Sequence, residues 1–111
     1  MEIENKISGS VNIILVNGRI DARNSSLLDD KLKSLIEAGS DKFIVNMEGV
    51  DYISSSGLRV LLAALKKVKP FGGEIKLSGL KPFVSDVFRI SGFDSIFDIC
   101  NSDKEALLKF E

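Results

Sequence analysis

Short apolar runs of strand length alternate along this chain with segments whose apolar residues recur at helical spacing, and that alternation limits the fold more than any other feature. Val11 to Val16 carries Ile13, Ile14, Leu15 and Val16 in succession, the pattern of a strand covered on both faces. Glu2 to Ser8 precedes it across Gly9-Ser10, which implies a hairpin. Lys42 to Met47, Glu74 to Ser78 and Ser95 to Ile99 read as three more strands, with Gly49 and Asp51 marking a loop after the first of them. Between the strands, Leu28, Leu32, Leu35 and Ile36 follow Asn24, the expected N-cap, and Gly39 is the expected stop. A second helix begins near Ser54 to Ser56 and runs to Lys69. Its Leu58, Leu61, Leu62, Leu65 and Val68 form a stripe that Val60, Ala63 and Ala64 widen, which implies deep packing on a sheet. Pro70 and Gly72-Gly73 end it, in plain turn chemistry. Pro82 to Ser91 fits a third helix with Val84, Val87 and Phe88 inward and Gly92 at its end. Ser102 and Glu105 have capping-box spacing ahead of Ala106, Leu107 and Leu108, so a short helix closes the chain.

The order is therefore β-β-α-β-α-β-α-β-α. Strands separated by single helices pair in parallel through right-handed crossovers, while the opening hairpin adds an antiparallel strand. The fold class is α/β, a mixed sheet of about five strands covered by about four helices. With 111 residues, the chain is expected to form one domain over 1–111.

Composition excludes most chemistry. There is no histidine and a single cysteine, Cys100, so neither a Ser-His-Asp nor a Cys-His site can be built, nor a zinc site of the usual kind. No phosphate-loop or G-x-G-x-x-G pattern occurs. Asp29-Asp30 falls on the solvent face of a helix, and Cys100 reads as a small, half-buried apolar residue. The expectation is a protein with no catalytic residues, no metal and no cofactor, and hence not an enzyme. Fifteen Lys and Arg against 16 Asp and Glu give a net charge of −1, which argues against nucleic acid as a direct partner. No apolar stretch approaches the ~20 residues that span a bilayer, and Met1 to Lys6 lacks signal-peptide character. These features point to a soluble cytoplasmic protein, a monomer or weak dimer, with no membrane insertion.

One segment stands apart: Asp51-Tyr52-Ile53-Ser54-Ser55-Ser56-Gly57-Leu58-Arg59. Three hydroxyls and a glycine stand where a strand becomes a buried helix, yet capping needs only one serine. A helix start also presents free N–H groups and about half a positive charge, so a serine there can carry a phosphate without melting the helix. Capping, phosphate attachment and a ligand site are all compatible with these residues. Asp21 is compatible with a simple turn or cap role before the first helix.

The same segment resembles the signature of the STAS domain of bacterial anti-sigma factor antagonists. Gly18-Arg19-Ile20-Asp21, Phe43-Ile44-Val45-Asn46-Met47, Gly72-Gly73-Glu74-Ile75 and Val87-Phe88-Arg89-Ile90-Ser91-Gly92-Phe93 are similar to further stretches of that family, so the likeness covers nearly the whole chain. It implies the STAS fold and a partner-switching regulator. Such a protein, unphosphorylated, binds an anti-sigma factor that is also a serine kinase; phosphorylation releases it, and a serine/threonine phosphatase restores it. Aligned on Gly57, the implied phosphoacceptor is Ser55, with Ser56 as runner-up. Asp21, Ser54, Ser55, Ser56, Gly57 and Arg59 are the implied partner-binding residues. Many members have aspartate where this chain has Ser54, and a small residue where it has Arg59. The alternative reading is a non-switching STAS scaffold subunit of a signalling or lipid-transport complex.

Overall fold

In the computed structural model, which describes residues 1–110, five strands form one sheet in the order β1-β2-β3-β4-β5. β1 (Glu2–Ser8) and β2 (Val11–Ile20) form the expected hairpin, antiparallel from Glu2 opposite Asn17 to Ser8 opposite Val11. β3 (Lys42–Ile53), β4 (Glu74–Ser78) and β5 (Asp98–Cys100) then add in parallel. Helices α1 (Ser25–Glu37), α2 (Ser55–Val68) and α3 (Pro82–Ser91) follow β2, β3 and β4, and α4 (Asp103–Lys109) follows β5. This is the mixed α/β sheet with four helices that the apolar pattern implies.

The strand alternation divides the core in two. Ile14 and Val16 of β2, Phe43, Val45 and Met47 of β3, and Ile75 and Leu77 of β4 point to one face, where Leu28, Leu32, Leu58, Leu61, Leu65, Val84 and Phe88 of α1 to α3 cover them. Val11, Ile13 and Ile44 point to the other face and form a smaller cluster with Cys100 and with Ala106 of α4. The run Ile13 to Val16 is thus covered on both faces, as its composition demands. Polar groups fasten α4 down: the Asp103 carboxylate accepts hydrogen bonds from Ser78 Oγ at 2.6 Å and Asn46 Nδ2 at 2.9 Å. Lys76, buried on the same face, pairs with Asp98 at 3.1 Å and Glu74 at 3.3 Å, and its ammonium lies 4.7 Å from the Phe110 ring centre.

Five expectations need correction. β2 runs on to Ile20 and β3 to Ile53, so Gly49 and Asp51 are strand residues, not a loop. The register shows why: from Leu15 to Asn17 β2 advances two residues while β3 advances from Asn46 to Gly49, and a second shift follows between Gly18 and Arg19. β3 therefore bulges twice, and turn-like residues mark bulges as readily as loops. At the first bulge only a glycine fits without displacing a neighbour, since a Cβ on Gly49 would meet Asn17 Oδ1 at 1.8 Å. Asn24 precedes α1 as expected but does not cap it. Its Oδ1 accepts the Asp21 N–H at 2.9 Å and its Nδ2 donates to the Arg19 carbonyl at 2.8 Å, so the side chain is spent on the turn. The fifth strand lies at 98–100 rather than 95–99. Residues 93–95 coil into a 3₁₀ turn that brings Phe93 and Phe97 against Phe88, with ring centres 6.5 and 6.3 Å away, and burying those rings outweighs extension. Ala63 faces solvent, leaving the α2 stripe narrower than expected. Cys100 is fully rather than half buried.

Candidate functional site

Ile20 and Ile53 are paired at the ends of β2 and β3, and the chain leaves both strands at the same edge of the sheet. The Ser54 N–H donates to the Ile20 carbonyl at 2.8 Å, which extends the strand pairing by one bond and fixes where α2 begins. Ser54 is the N-cap, in extended conformation, and its hydroxyl accepts the Gly57 N–H at 3.3 Å. The N–H groups of Ser55 and Ser56 stand at the open end of the helix.

Gly57 is required by packing rather than by backbone conformation. A Cβ there would lie 2.7 Å from Ile20 Cγ2 and 2.8 Å from Ile53 Cγ1, so its absence lets the first turn of α2 sit directly on the two strand ends. Gly57 is buried, and it shapes the site through its backbone alone. Its effect is to hold the three serines in fixed and different places. Ser54 is half-buried and caps, Ser56 is half-buried and accepts a hydrogen bond from Arg59 Nη2 at 3.3 Å, and Ser55 is exposed.

Asp21 stands at the end of the neighbouring strand. Its Oδ1 accepts the N–H groups of Arg23 at 3.0 Å and Asn24 at 3.1 Å, and its Oδ2 lies 3.9 Å from Arg19 Nε. It is thus a turn residue by its bonds and a half-exposed carboxylate by its position. Two groups that the sequence reading did not single out join the site. Arg19 lies over the Tyr52 ring, with its guanidinium carbon 4.3 Å from the ring centre, and the two residues are register partners across β2 and β3. Tyr52 sits between the two bulges and the cap, a place visible only once the register is known. The first turn of α2 carries no acidic side chain, so the helix's partial positive charge is left uncompensated there.

The remaining titratable cluster lies on the α4 face. Lys109, with Lys76 behind it, holds the Asp98 carboxyl below its ordinary range. Burial, followed by the charge of Asp98, pushes the Cys100 thiol up, so it stays protonated. No group of three or more His, Cys, Asp or Glu residues suited to a metal ion occurs among the described residues. No helix among them is long and apolar enough to cross a membrane.

Comparison with known proteins gives this arrangement a family. The STAS domain family matches residues 2–106. The anti-sigma-B factor antagonist of Bacillus subtilis is 37% identical over 101 residues, which cover 89% of this chain and 92% of that protein. BtrV of Bordetella bronchiseptica, named as an anti-sigma factor antagonist, is 38% identical over 106 residues, covering 96% and 90%. Among solved structures, the anti-sigma factor antagonist SpoIIAA in its unphosphorylated form superposes with a TM-score of 0.87 at 21% identity over 98% of this chain and 96% of that one. The phosphorylated form of SpoIIAA, from Bacillus, gives 0.78 at 20% identity over 99% and 100%. Sequence and backbone agree: this chain belongs to the STAS domain family of anti-sigma factor antagonists.

Proposed function

We propose that this chain, acting as one domain in the cytoplasm, binds an anti-sigma factor that is also a serine kinase and is released when that kinase phosphorylates Ser55. It is a binding protein and not an enzyme; a serine/threonine phosphatase resets it. The observation that carries this reading is the division of labour among the three serines. Ser54 is needed for the cap and Ser56 is held by Arg59, while Ser55 offers an exposed hydroxyl at the positive end of a firmly seated helix. Phosphate there adds about −1.5 to −2 charges, which the helix end accommodates at a gain of ~0.3–1 kcal/mol, so the free protein stays folded. Release then arises on the partner's side. A dianion ~6 Å from one partner carboxylate, at an effective dielectric of about 40, costs roughly 2–3 kcal/mol, on the order of a 100-fold loss of affinity. The surface that the partner covers is made of Asp21, Ser54, Ser55, Ser56 and Arg59, held in place by the buried Gly57.

The test is labelling and binding with the cognate kinase. Ser55→Ala resists labelling and binds constitutively; Ser55→Asp binds poorly and melts like the native chain. Labelling that persists in Ser55→Ala and vanishes in Ser56→Ala moves the acceptor to Ser56. A native chain that the cognate kinase binds but never labels is a scaffold, and the switch is refuted.

A further inference from the structure

The two edges of the sheet are protected very differently. β5 is only three residues long, and a short edge offers little to pair with. β1 is seven residues long, contains no proline, and keeps an unbroken register with β2 from Glu2 to Ser8. A regular outer edge of this length presents a ladder of free N–H and C=O groups. Asn5 turns its side chain inward, donating to Asn12 Oδ1 at 3.3 Å, while the charged and exposed apolar side chains of the strand are unspent. Ile7 lies on the α1–α3 face and is 74% exposed. Glu2, Glu4 and Lys6 point to the α4 face, all exposed, and none takes part in an ion pair among the described residues.

We propose that β1 pairs antiparallel with β1 of a second copy of this chain, centred on Asn5, joining two sheets into one. The strand is complementary to itself in that register. Centred on Asn5, Glu4 stands opposite Lys6 of the second copy and Lys6 opposite its Glu4, two opposite-charge pairs on one face. On the other face Ile3 stands opposite Ile7 and Ile7 opposite Ile3, so the most exposed aliphatic side chain of the strand covers a half-buried one. The neighbouring registers of the same parity are poorer. Centring on Glu4 gains two Glu2–Lys6 pairs but sets Glu4 against Glu4 and Ile3 against Asn5, and centring on Lys6 sets Lys6 against Lys6 with no opposite-charge pair. Registers of odd parity place no Glu opposite the Lys. The charges thus select one alignment out of those the backbone allows. The pairing uses none of Asp21, Ser54, Ser55, Ser56, Gly57 or Arg59, so it stands or falls independently of the phosphorylation switch.

The test is sedimentation of the native chain over a range of concentrations up to millimolar, with three variants. The native chain dimerises reversibly. Lys6→Glu sets Glu4 against the new carboxylate and raises the dimer dissociation constant at least about tenfold, with a melt close to native. Glu4→Lys combined with Lys6→Glu swaps the charges and restores dimerisation. Asn5→Cys crosslinks under mild oxidation, because directly opposed residues have Cα atoms ~4.5–5.5 Å apart, within disulfide range; Ile3→Cys does not, and the buried Cys100 does not compete. A native chain that stays monomeric at millimolar concentration overturns the proposal, whether or not its edge takes a strand from another protein. A charge swap that fails to restore the dimer, or equal crosslinking at positions 3 and 5, overturns the register.

Discussion

Replacing Gly57 by alanine sets two effects of opposite sign against each other. Intrinsic helix propensity favours alanine over an interior glycine by up to about 1 kcal/mol, so helix preference by itself predicts a more stable protein. The packing predicts the reverse. The added methyl meets Ile20 Cγ2 at 2.7 Å and Ile53 Cγ1 at 2.8 Å, and both isoleucines are buried at the strand ends that seat the helix. Neither is the free end of a flexible chain, so α2 must lift or the isoleucines must leave their rotamers. Overpacking of this kind costs about 1–3 kcal/mol, and most of the propensity gain is lost in the first turn, which leaves a net loss of about 1–2 kcal/mol. For a domain near this size that lowers Tm by roughly 5–10 °C. Lifting α2 also lengthens the 3.3 Å bond from the Gly57 N–H to Ser54 and displaces Ser55, so on the proposed switch labelling by the cognate kinase slows as Tm falls. Thermal and urea unfolding of Gly57→Ala beside the native chain decide the matter. A Tm equal to or above native refutes the claim that close approach demands this glycine.

Leu61→Ala removes a fully buried side chain from the centre of the α2 stripe and costs about 2–5 kcal/mol, read from urea unfolding; a loss below about 0.5 kcal/mol would mean that the inward face has been misassigned. Asp98 has its carboxyl held below the ordinary value of 3.8 by Lys109 first and by Lys76. Because its folded pKa is depressed, its contribution is present above the unfolded pKa and fades as pH falls through the folded one. Asp98→Asn is therefore less stable than native at neutral pH, and the gap closes as denaturation is repeated at progressively lower pH below 4. A gap that is constant with pH refutes the role given to its charge.

What was legible in the sequence was what local pattern controls. The order of elements, the two-faced burial of Ile13 to Val16, and the start of α2 at three serines all follow from periodicity and capping. The misses arise where a partner strand or a distant side chain decides. Gly49 and Asp51 carry turn chemistry, and only pairing with β2 makes Gly49 the strand residue that follows one bulge and Asp51 the extra residue of the next. Asn24 has the right residue type for a cap, yet its side chain is taken by Arg19 and Asp21. Residues 95–97 look extended until Phe93 and Phe97 find Phe88. The Arg19–Tyr52 contact depends on a register set by those same bulges, and no spacing in the chain announces it.

The cap position also bears on how a phosphate would be received. Ser54 accepts the Gly57 N–H and starts the helix, a place that aspartate can also fill. Aspartate and serine cap about equally well, so stability does not choose between them. Charge does. Aspartate would put a fixed negative charge one residue from Ser55, offsetting the helix end and opposing a dianion. Serine leaves the first turn of α2 without any carboxylate, and Arg59, one turn in, adds a positive charge. The local field here thus favours an anion more strongly than it would with aspartate at position 54. Under the proposed switch, the helix end and Arg59 favour a phosphate on Ser55, so the affinity lost on phosphorylation comes from what the partner brings to Ser55.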